Sequence, residues 1–156
     1  MAQLKVSHVS KAFGDQEILK DVTLELHDNE LVSLLGVSGG GKTTLFNVIS
    51  GLLKPEEGQV ILDEKDITGQ PGNVSYMLQK DLLLPYRTVE DNVALPLIIK
   101  GEKKKEARKK VRPYFAEFGL EGTEKKYPSQ LSGGMRQRAA LLRTYMFSDK
   151  IALLDE

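Results

Sequence analysis

The most constraining feature of the sequence is a glycine-rich segment, GVSGGGKTT, at residues 36–44. It matches the pattern G-x-x-x-x-G-K-[ST], with Gly36, Gly41, Lys42 and Thr43 at the fixed positions. Glycine is entropically costly to order, but it allows a backbone to curve so that several N–H groups converge on an anion. A lysine after such a loop can reach the β- and γ-phosphates of a nucleotide, and a threonine hydroxyl can bind Mg²⁺. The segment therefore predicts a nucleotide-phosphate site.

The sequences on either side of the loop predict an α/β unit. The preceding run LVSLLG, at 31–36, is nearly all apolar, which is typical of a strand covered on both faces. The following residues have apolar side chains at helical spacing, and Gly51 is suited to end that helix. The apolar positions of this helix are Leu45, Val48, Ile49 and Leu52. The alternative, a flexible structural loop, does not need this strand–loop–helix context.

Further strands are predicted on both sides of this unit. Residues 3–9 and 22–27 alternate apolar and polar side chains, as half-exposed strands do, and indicate an antiparallel layer. Residues 58–63 and 74–78 read as two more strands, and IALL, at 151–154, as a buried one.

Three later segments predict helices. Thr88 resembles the capping residue of the first helix, which Pro96 should end or kink. The second helix, across 102–118, should break and restart at Pro113. Its charged run is balanced in sign and predicts a solvated helix surface rather than a nucleic-acid site. The third helix begins after Ser132 as its N-cap.

Composition excludes several classes of function. Lysine plus arginine and aspartate plus glutamate number 22 each, so the formal net charge is zero, which argues against bulk binding to nucleic acid. There is no cysteine for a disulfide or a thiolate metal site. The N-terminal residues contain no apolar signal core, and no run approaches a membrane span. A cytosolic chain that could dock onto a membrane protein is expected.

A pair of acids follows the strand predicted at 151–154. A phosphate loop with Mg²⁺ needs a metal-organising acid on a second strand, and Asp155 fits that requirement by holding Mg²⁺ through water. Glu156 would then polarise the attacking water. Two acids after a strand are commonplace by themselves, and it is the glycine loop that favours this functional interpretation.

The segment LSGGMRQR, at 131–138, resembles the signature sequence of ABC-transporter ATPases. It combines glycines and a serine at a helix N-terminus, an arrangement suited to contacting phosphate. The resemblance covers essentially the whole chain and implies a head-to-tail dimer, in which each signature covers the ATP held by the other subunit. The residues implied to contact the partner's ATP are Leu131, Ser132, Gly133, Gly134, Met135, Arg136 and Gln137.

The same resemblance implies roles for the other site residues. Phe13 occupies the position where the family stacks an aromatic ring on adenine, without base-specific hydrogen bonds. Gln79 matches a glutamine that senses Mg²⁺ and the γ-phosphate. Catalytic roles are implied for Lys42, Gln79 and Glu156, and Mg²⁺ binding for Thr43, Gln79 and Asp155. The implied ATP-binding residues are Phe13, Gly36, Val37, Ser38, Gly39, Gly40, Gly41, Lys42, Thr43 and Thr44.

The resemblance also implies a fold and partners. The expected fold is α/β: a P-loop core with an antiparallel layer, at about 1–79 and 148–156, and a helical subdomain at about 80–147. The implied partners are a second such subunit, forming a homodimer, an integral membrane permease and, indirectly, a solute-binding protein. Residues 77–97 look most like the nitrate/sulfonate/taurine importers and related pyrimidine-precursor importers, which implies a peripheral location at the cytoplasmic face of the membrane.

The family pattern continues beyond Glu156 with further segments, including a switch histidine and a strand of the central sheet. The sequence-based expectation is therefore an N-terminal portion of an importer's ATPase subunit, with part of the core sheet missing. Two alternatives remain: a catalytically inactive fragment, and a soluble ABC-type ATPase without a transport partner. A P-loop kinase is a further option, but it has no use for the signature segment.

Overall fold

A computed structural model describes residues 2–148 and 150–155. The chain divides into two compact units, Met1–Val74 and Ser75–Glu156. Across the described residues, none of the helices combines the length and the apolar character needed to cross a membrane. Each unit has its own sheet and is described separately below.

The first unit contains a four-stranded antiparallel sheet. Its strands are β1 (Ala2–Phe13), β2 (Gln16–His27), β3 (Glu57–Leu62) and β4 (Lys65–Asp66), in the order β2-β1-β3-β4. The alternation of the sequence determines which face is covered, because Leu4 and Val6 of β1 are buried together with Val60 of β3. The predicted antiparallel layer is confirmed.

Helix α1 (Lys42–Ile49) follows the glycine loop. Its buried side chains are Leu45, Val48 and Ile49, as the helical spacing predicts. Gly51 ends the helix with φ of +79°, and a Cβ there would lie 2.4 Å from the carbonyl carbon of Gln70, so only glycine fits. Leu52 is 62% exposed, and its predicted place on the apolar face is wrong because the chain has already left the helix.

The strand predicted at 31–36 is not formed. Residues 31–37 have no regular secondary structure, and Leu31 and Leu35 are 89% and 94% exposed. A strand exists only where a neighbouring backbone accepts and donates its hydrogen bonds. Neither of the two sheets formed by the described residues includes this segment, so its apolar pattern is left without a partner.

The second unit contains a two-stranded parallel sheet of β5 (Ser75–Met77) and β6 (Ala152–Leu154). Both strands were predicted. The prediction that the segment at 151–154 is buried throughout is wrong for half of it: Leu153 is buried, whereas Leu154 is 50% exposed. Ala152 and Leu154 point to the opposite face of the sheet from Leu153, and both are exposed.

Four helices complete the second unit: α2 (Val89–Ile99), α3 (Lys104–Val111), α4 (Pro113–Glu117) and α5 (Gly133–Phe147), with a short 3-10 helix at Pro128–Gln130. Local signals determine their boundaries. The Thr88 hydroxyl accepts a hydrogen bond from the Asp91 backbone N–H at 3.2 Å, and Pro113 starts α4 as predicted. Pro96 does not end α2, which continues to Ile99.

Helices α2 and α3 are joined through buried acids. Asp91 is 6% exposed and accepts two hydrogen bonds from Arg108, from Nε at 2.7 Å and from Nη2 at 2.9 Å. Glu90, at 3% exposure, accepts a hydrogen bond from Arg112. The bond from Arg108 holds the pKa of Asp91 below its usual range, although burial acts in the opposite direction. A charge-paired face therefore connects the two helices beside an apolar core.

Candidate functional site

The backbone of the glycine loop is tightly packed at two positions, where a side chain would require the neighbouring atoms to shift. The Gly40 N–H donates to the Val37 carbonyl at 3.0 Å, and a Cβ on Gly40 would lie 3.0 Å from that same oxygen. Gly41 has φ of +89°, and a Cβ there would lie 3.1 Å from the Ile18 carbonyl oxygen. The loop is therefore tightly wound, and the left-handed φ of Gly41 favours glycine at that position.

The Lys42 side chain folds back onto the glycine loop and binds its backbone. Its Nζ donates to the carbonyl oxygens of Gly36 at 2.7 Å and Val37 at 2.9 Å, and its side chain is half-buried. Both acceptors are neutral carbonyl oxygens, so neither of these two contacts neutralises the ammonium charge. A phosphate entering the loop would meet a positive charge already directed at it.

The first turn of α1 suits an anion. Gly41 is its N-cap and offers no side-chain hydrogen bond, and the first turn contains no acidic residue. The N-terminal N–H groups of a helix and its dipole favour negative charge at this point. Loop, lysine and helix terminus thus lie together within the first unit, an arrangement chemically suited to an anion such as a phosphate.

Phe13 lies at the end of β1 with 53% of its surface exposed. Its position is fixed by Glu56, whose carboxylate accepts from the Ala12 backbone N–H at 3.0 Å and pairs with Lys11 Nζ at 2.5 Å. The Lys11 ammonium also lies 5.5 Å from the centroid of the Phe13 ring, a cation–π contact. The ring is an exposed platform, available for the predicted stacking on a base.

We expect Phe13→Ala to weaken binding of ATP and GTP to a similar degree, by about 1–3 kcal/mol, because stacking on an aromatic ring does not discriminate between bases. Titration of both nucleotides by calorimetry checks this. Phe13→Tyr is the matched control and should retain the affinity. Inorganic triphosphate should bind the wild type and Phe13→Ala equally; a loss for triphosphate as well would show that the substitution damages the phosphate loop instead.

The second unit contains Gln79 and Asp155. Asp155 follows β6, and its N–H donates to the Met77 carbonyl at 3.0 Å. The Tyr76 hydroxyl lies 3.4 Å from Oδ2 of Asp155, and burial, then the Asp155 charge, raises the pKa of Tyr76 to about 12. The phenol therefore keeps its proton at neutral pH and donates to the carboxylate. Carboxylate oxygen is a ligand that Mg²⁺ prefers, so Asp155 is chemically suited to a hydrated metal ion.

Glu156 lies outside the described residues, so its role remains a sequence-based prediction. Thr43 is in the first turn of α1, in the first unit, whereas the other predicted Mg²⁺ ligands, Gln79 and Asp155, belong to the second. All three supply oxygen, the atom type that Mg²⁺ prefers.

The signature segment forms the start of α5. The Ser132 hydroxyl accepts from the Met135 backbone N–H at 3.3 Å, which confirms Ser132 as the N-cap. Leu131 is buried, whereas Ser132 and the two glycines after it are exposed. A groove of about 480 Å³ lies beside this terminus, and its lining residues are Gln79, Lys80, Asp81, Leu82, Gly133, Arg136 and Gln137. Gln79 therefore lines the same groove as three of the signature residues, Gly133, Arg136 and Gln137.

The sequence does not reveal the residues whose hydrogen bonds hold the backbone around the site. Glu56 fixes the end of β1 at Phe13 from 44 positions away, and Arg143 binds backbone carbonyls near Gln79 from more than 60 positions away. Asn92 makes four hydrogen bonds to the loop before α2. No local pattern marks such residues, because their partners are distant backbone groups or lie in irregular loops.

The sequence profile of ABC transporters matches residues 19–156. The chain belongs to the ABC transporter family. Among curated relatives, the formylaminopyrimidine import ATP-binding protein ThiZ of Halalkalibacterium halodurans is 43% identical over 98% of this chain. The sulfate/thiosulfate import ATP-binding protein CysA of a Synechocystis species is 40% identical over 97% of it. The chain spans 59% of the length of the former and 43% of the latter.

Solved structures agree with the fold. A dimeric ATP-binding cassette in a post-hydrolysis state, bound to ADP and Pi, is 33% identical and superposes with a TM-score of 0.84. The superposition covers 98% of this chain and 73% of that one. The predicted α/β fold of an ABC cassette is thereby confirmed.

Proposed function

We propose that this chain is the ATP-binding, ATP-hydrolysing part of a subunit that powers import of a small solute. The observation that supports this most directly is the glycine loop, where Lys42 and the N-terminus of α1 lie beside a tightly packed glycine backbone. The same chain contains a second, serine-capped helix terminus at α5, which a nucleotide-binding protein acting alone would not require.

In this proposal the loop binds the phosphates and Lys42 stabilises the charge that develops during phosphoryl transfer. Backbone N–H groups of the loop and of the first turn of α1 bind the phosphate oxygens, and the Lys42 ammonium exchanges its contacts with the Gly36 and Val37 carbonyls for the β- and γ-phosphates. Phe13 stacks on the base. The site thus orients ATP chiefly by its phosphates.

Mg²⁺ is the implied cofactor, and it neutralises phosphate charge when bound. Thr43 is proposed to hold it through its hydroxyl, and Gln79 and Asp155 through an amide and a carboxylate oxygen, as the family resemblance implies. The Tyr76 phenol donates to Asp155 and orients that carboxylate. Glu156 is proposed to orient the attacking water, as its position after β6 implies.

The α5 terminus supports a dimer as the working unit. Ser132, Gly133 and Gly134 are exposed at that terminus and can contact a phosphate held by a second copy. A similar cassette is known as a dimer bound to ADP and Pi. In a head-to-tail pair, each ATP would therefore lie between the loop of one copy and the signature of the other.

A mixing experiment tests this arrangement. Lys42→Ala and Gly133→Glu should each abolish ATP turnover, but in a mixed dimer one site combines the intact loop of one subunit with the intact signature of the other. Because half of randomly paired dimers are mixed, an equal mixture should recover about a quarter of the wild-type ATPase rate.

The control is the double variant Lys42→Ala/Gly133→Glu mixed with either single variant. Such a pair contains no complete site, so it should recover nothing. Recovery there, or none in the first mixture despite subunit exchange, would contradict the composite site and favour a nucleotide site built within one chain.

The transport partner and the location follow from the family rather than from the site. We propose that the subunit binds an integral permease at the cytoplasmic face of the membrane, with a solute-binding protein acting indirectly. The two relatives described above are named as import ATP-binding proteins, one for a formylaminopyrimidine and one for sulfate or thiosulfate. These names differ in solute, so they support import as the process and leave the solute open.

For the solute we propose the nitrate/sulfonate/taurine group with its pyrimidine-precursor relatives, based on the sequence of residues 77–97. Deletion of the gene should abolish uptake of one labelled member of this group, and the wild-type gene, but not its Lys42→Ala form, should restore it. Unchanged uptake of the whole group, with loss of sulfate uptake instead, would contradict this assignment.

A further inference from the structure

Two arginines of α5 contact the loop segment 79–84, which begins with Gln79. Arg143 donates from Nη1 to the Leu82 carbonyl at 2.9 Å and from Nη2 to the Asp81 carbonyl at 2.7 Å. Arg136 lies one heptad earlier, and its Nε is 3.4 Å from Oδ2 of Asp81. Residues seven apart share one helix face, so both arginines reach the segment from the same side.

The Arg143 contact has the geometry of a rigid bridge. Its side chain is half-buried, and this burial lowers the pKa of Arg143, although the Asp81 charge partly opposes the effect. A planar guanidinium presents two donors at fixed separation, so it can bind two consecutive carbonyls at once. A lysine ammonium in the same place is a single point and cannot hold both carbonyls in the same geometry.

The segment it binds has an unfavourable backbone conformation. Leu82 has φ of +47°, in the left-handed region that leucine avoids, and its side chain is 52% exposed. Burial of that side chain therefore does not hold the conformation. Hydrogen bonds do: Arg143 binds the Leu82 carbonyl, Asp81 Oδ1 accepts from the Leu83 N–H at 3.1 Å, and Asn92 Oδ1 accepts from the Leu84 N–H at 2.7 Å.

The contact connects two functional ends of the second unit. Gln79, Gly133 and Gln137 all line the groove beside the α5 terminus. Arg143 binds the carbonyls two and three residues after Gln79 and lies on the helix that starts at Gly133. A displacement of α5 must therefore displace the backbone that leads to Gln79.

We propose that Arg143 is a positioning residue that makes the segment 79–84 move together with α5. The inference rests on the proposed function, in which Gln79 responds to the γ-phosphate and the α5 terminus contacts the partner's ATP. Arg143 then links the state of one nucleotide site to the other without touching either nucleotide.

Amide hydrogen exchange of the 156-residue chain tests the contact without nucleotide. Arg143→Lys should raise the exchange rates of the Leu83 and Leu84 amides by about tenfold, because one anchor of the segment is lost. Amides inside α5 and α2 should keep their rates. Arg138→Lys, at an exposed arginine of the same helix, is the matched control and should leave the segment unchanged.

Kinetics test the positioning role. In Arg143→Lys the kcat for ATP should fall about tenfold while KM stays within about twofold, since the phosphate loop is unaltered. Unchanged exchange at Leu83 and Leu84 would overturn the proposal, as would faster exchange throughout α5 or an unchanged kcat. A wild-type protein without ATP turnover would instead contradict the proposed function, while the exchange measurement still decides the Arg143 contact.

Discussion

Replacing Lys42 with alanine is expected to weaken ATP binding by about 100-fold or more, equivalent to about 2.7 kcal/mol. Hydrogen bonds to charged groups contribute about 1.5–3 kcal/mol each, and Lys42 can make at least two to the terminal phosphates. The ammonium gives up its hydrogen bonds to the neutral Gly36 and Val37 carbonyls and gains stronger ones to charged phosphate oxygens, so the exchange is favourable overall.

Calorimetric titration with ATP measures the loss. Lys20→Ala removes the same charge from an exposed position on β2 and should bind ATP like the wild type. Thermal unfolding of both variants is needed as well, because Lys42 also binds two loop carbonyls. ATP affinity of Lys42→Ala within about threefold of the wild type would contradict the assignment of the loop as the phosphate site.

The features predicted correctly from the sequence are those determined by neighbouring residues. The end of α1 at Gly51 depends on the conformational freedom of one glycine, and the start of α5 on the Ser132 hydroxyl within its own turn. Pro113 begins a helix because its ring fixes φ and it lacks an N–H. Such signals act over four residues or fewer, so the local sequence is sufficient to predict them.

The features predicted wrongly depend on distant partners. The apolar run at 31–36 fits a buried strand, but a strand needs a paired backbone, and none of the described residues supplies one. Leu154 shows the same dependence, since half of its surface is exposed although the apolar run predicts a buried strand. A hydrophobic pattern indicates which secondary structure a segment can adopt. Whether the segment adopts it depends on the elements that pack or pair with it.

Sequence motifs predict the candidate site, but they do not predict the residues that hold its backbone in place. The pattern around Lys42 predicts a phosphate loop from nine consecutive residues. Arg143 and Glu56 act on backbone groups more than 40 residues away, and any arginine or glutamate on an exposed face would look the same in sequence. Their roles come from geometry alone.

Asn92 provides the second large effect, on stability. It is fully buried at the start of α2, where its Oδ1 accepts from the Leu84 N–H at 2.7 Å. Its amide nitrogen lies 3.1 Å from the Leu84 carbonyl oxygen, 3.2 Å from that of Arg87 and 3.0 Å from that of Thr88. One side chain therefore holds the whole loop before the helix.

We expect Asn92→Ala to lower the free energy of unfolding of the second unit by about 3 kcal/mol, because each buried polar group left unsatisfied costs about 1–3 kcal/mol and water can reach only some of them. Asn92→Asp should also destabilise, since it keeps the acceptor for Leu84 but directs a carboxylate at three carbonyls. Gln130→Ala, which removes a single amide hydrogen bond accepted from the Tyr127 N–H in the same unit, is the matched control. Denaturant unfolding measures all three, and a loss for Asn92→Ala no greater than that of the control would show that α2 and its packing, not this amide, hold the loop.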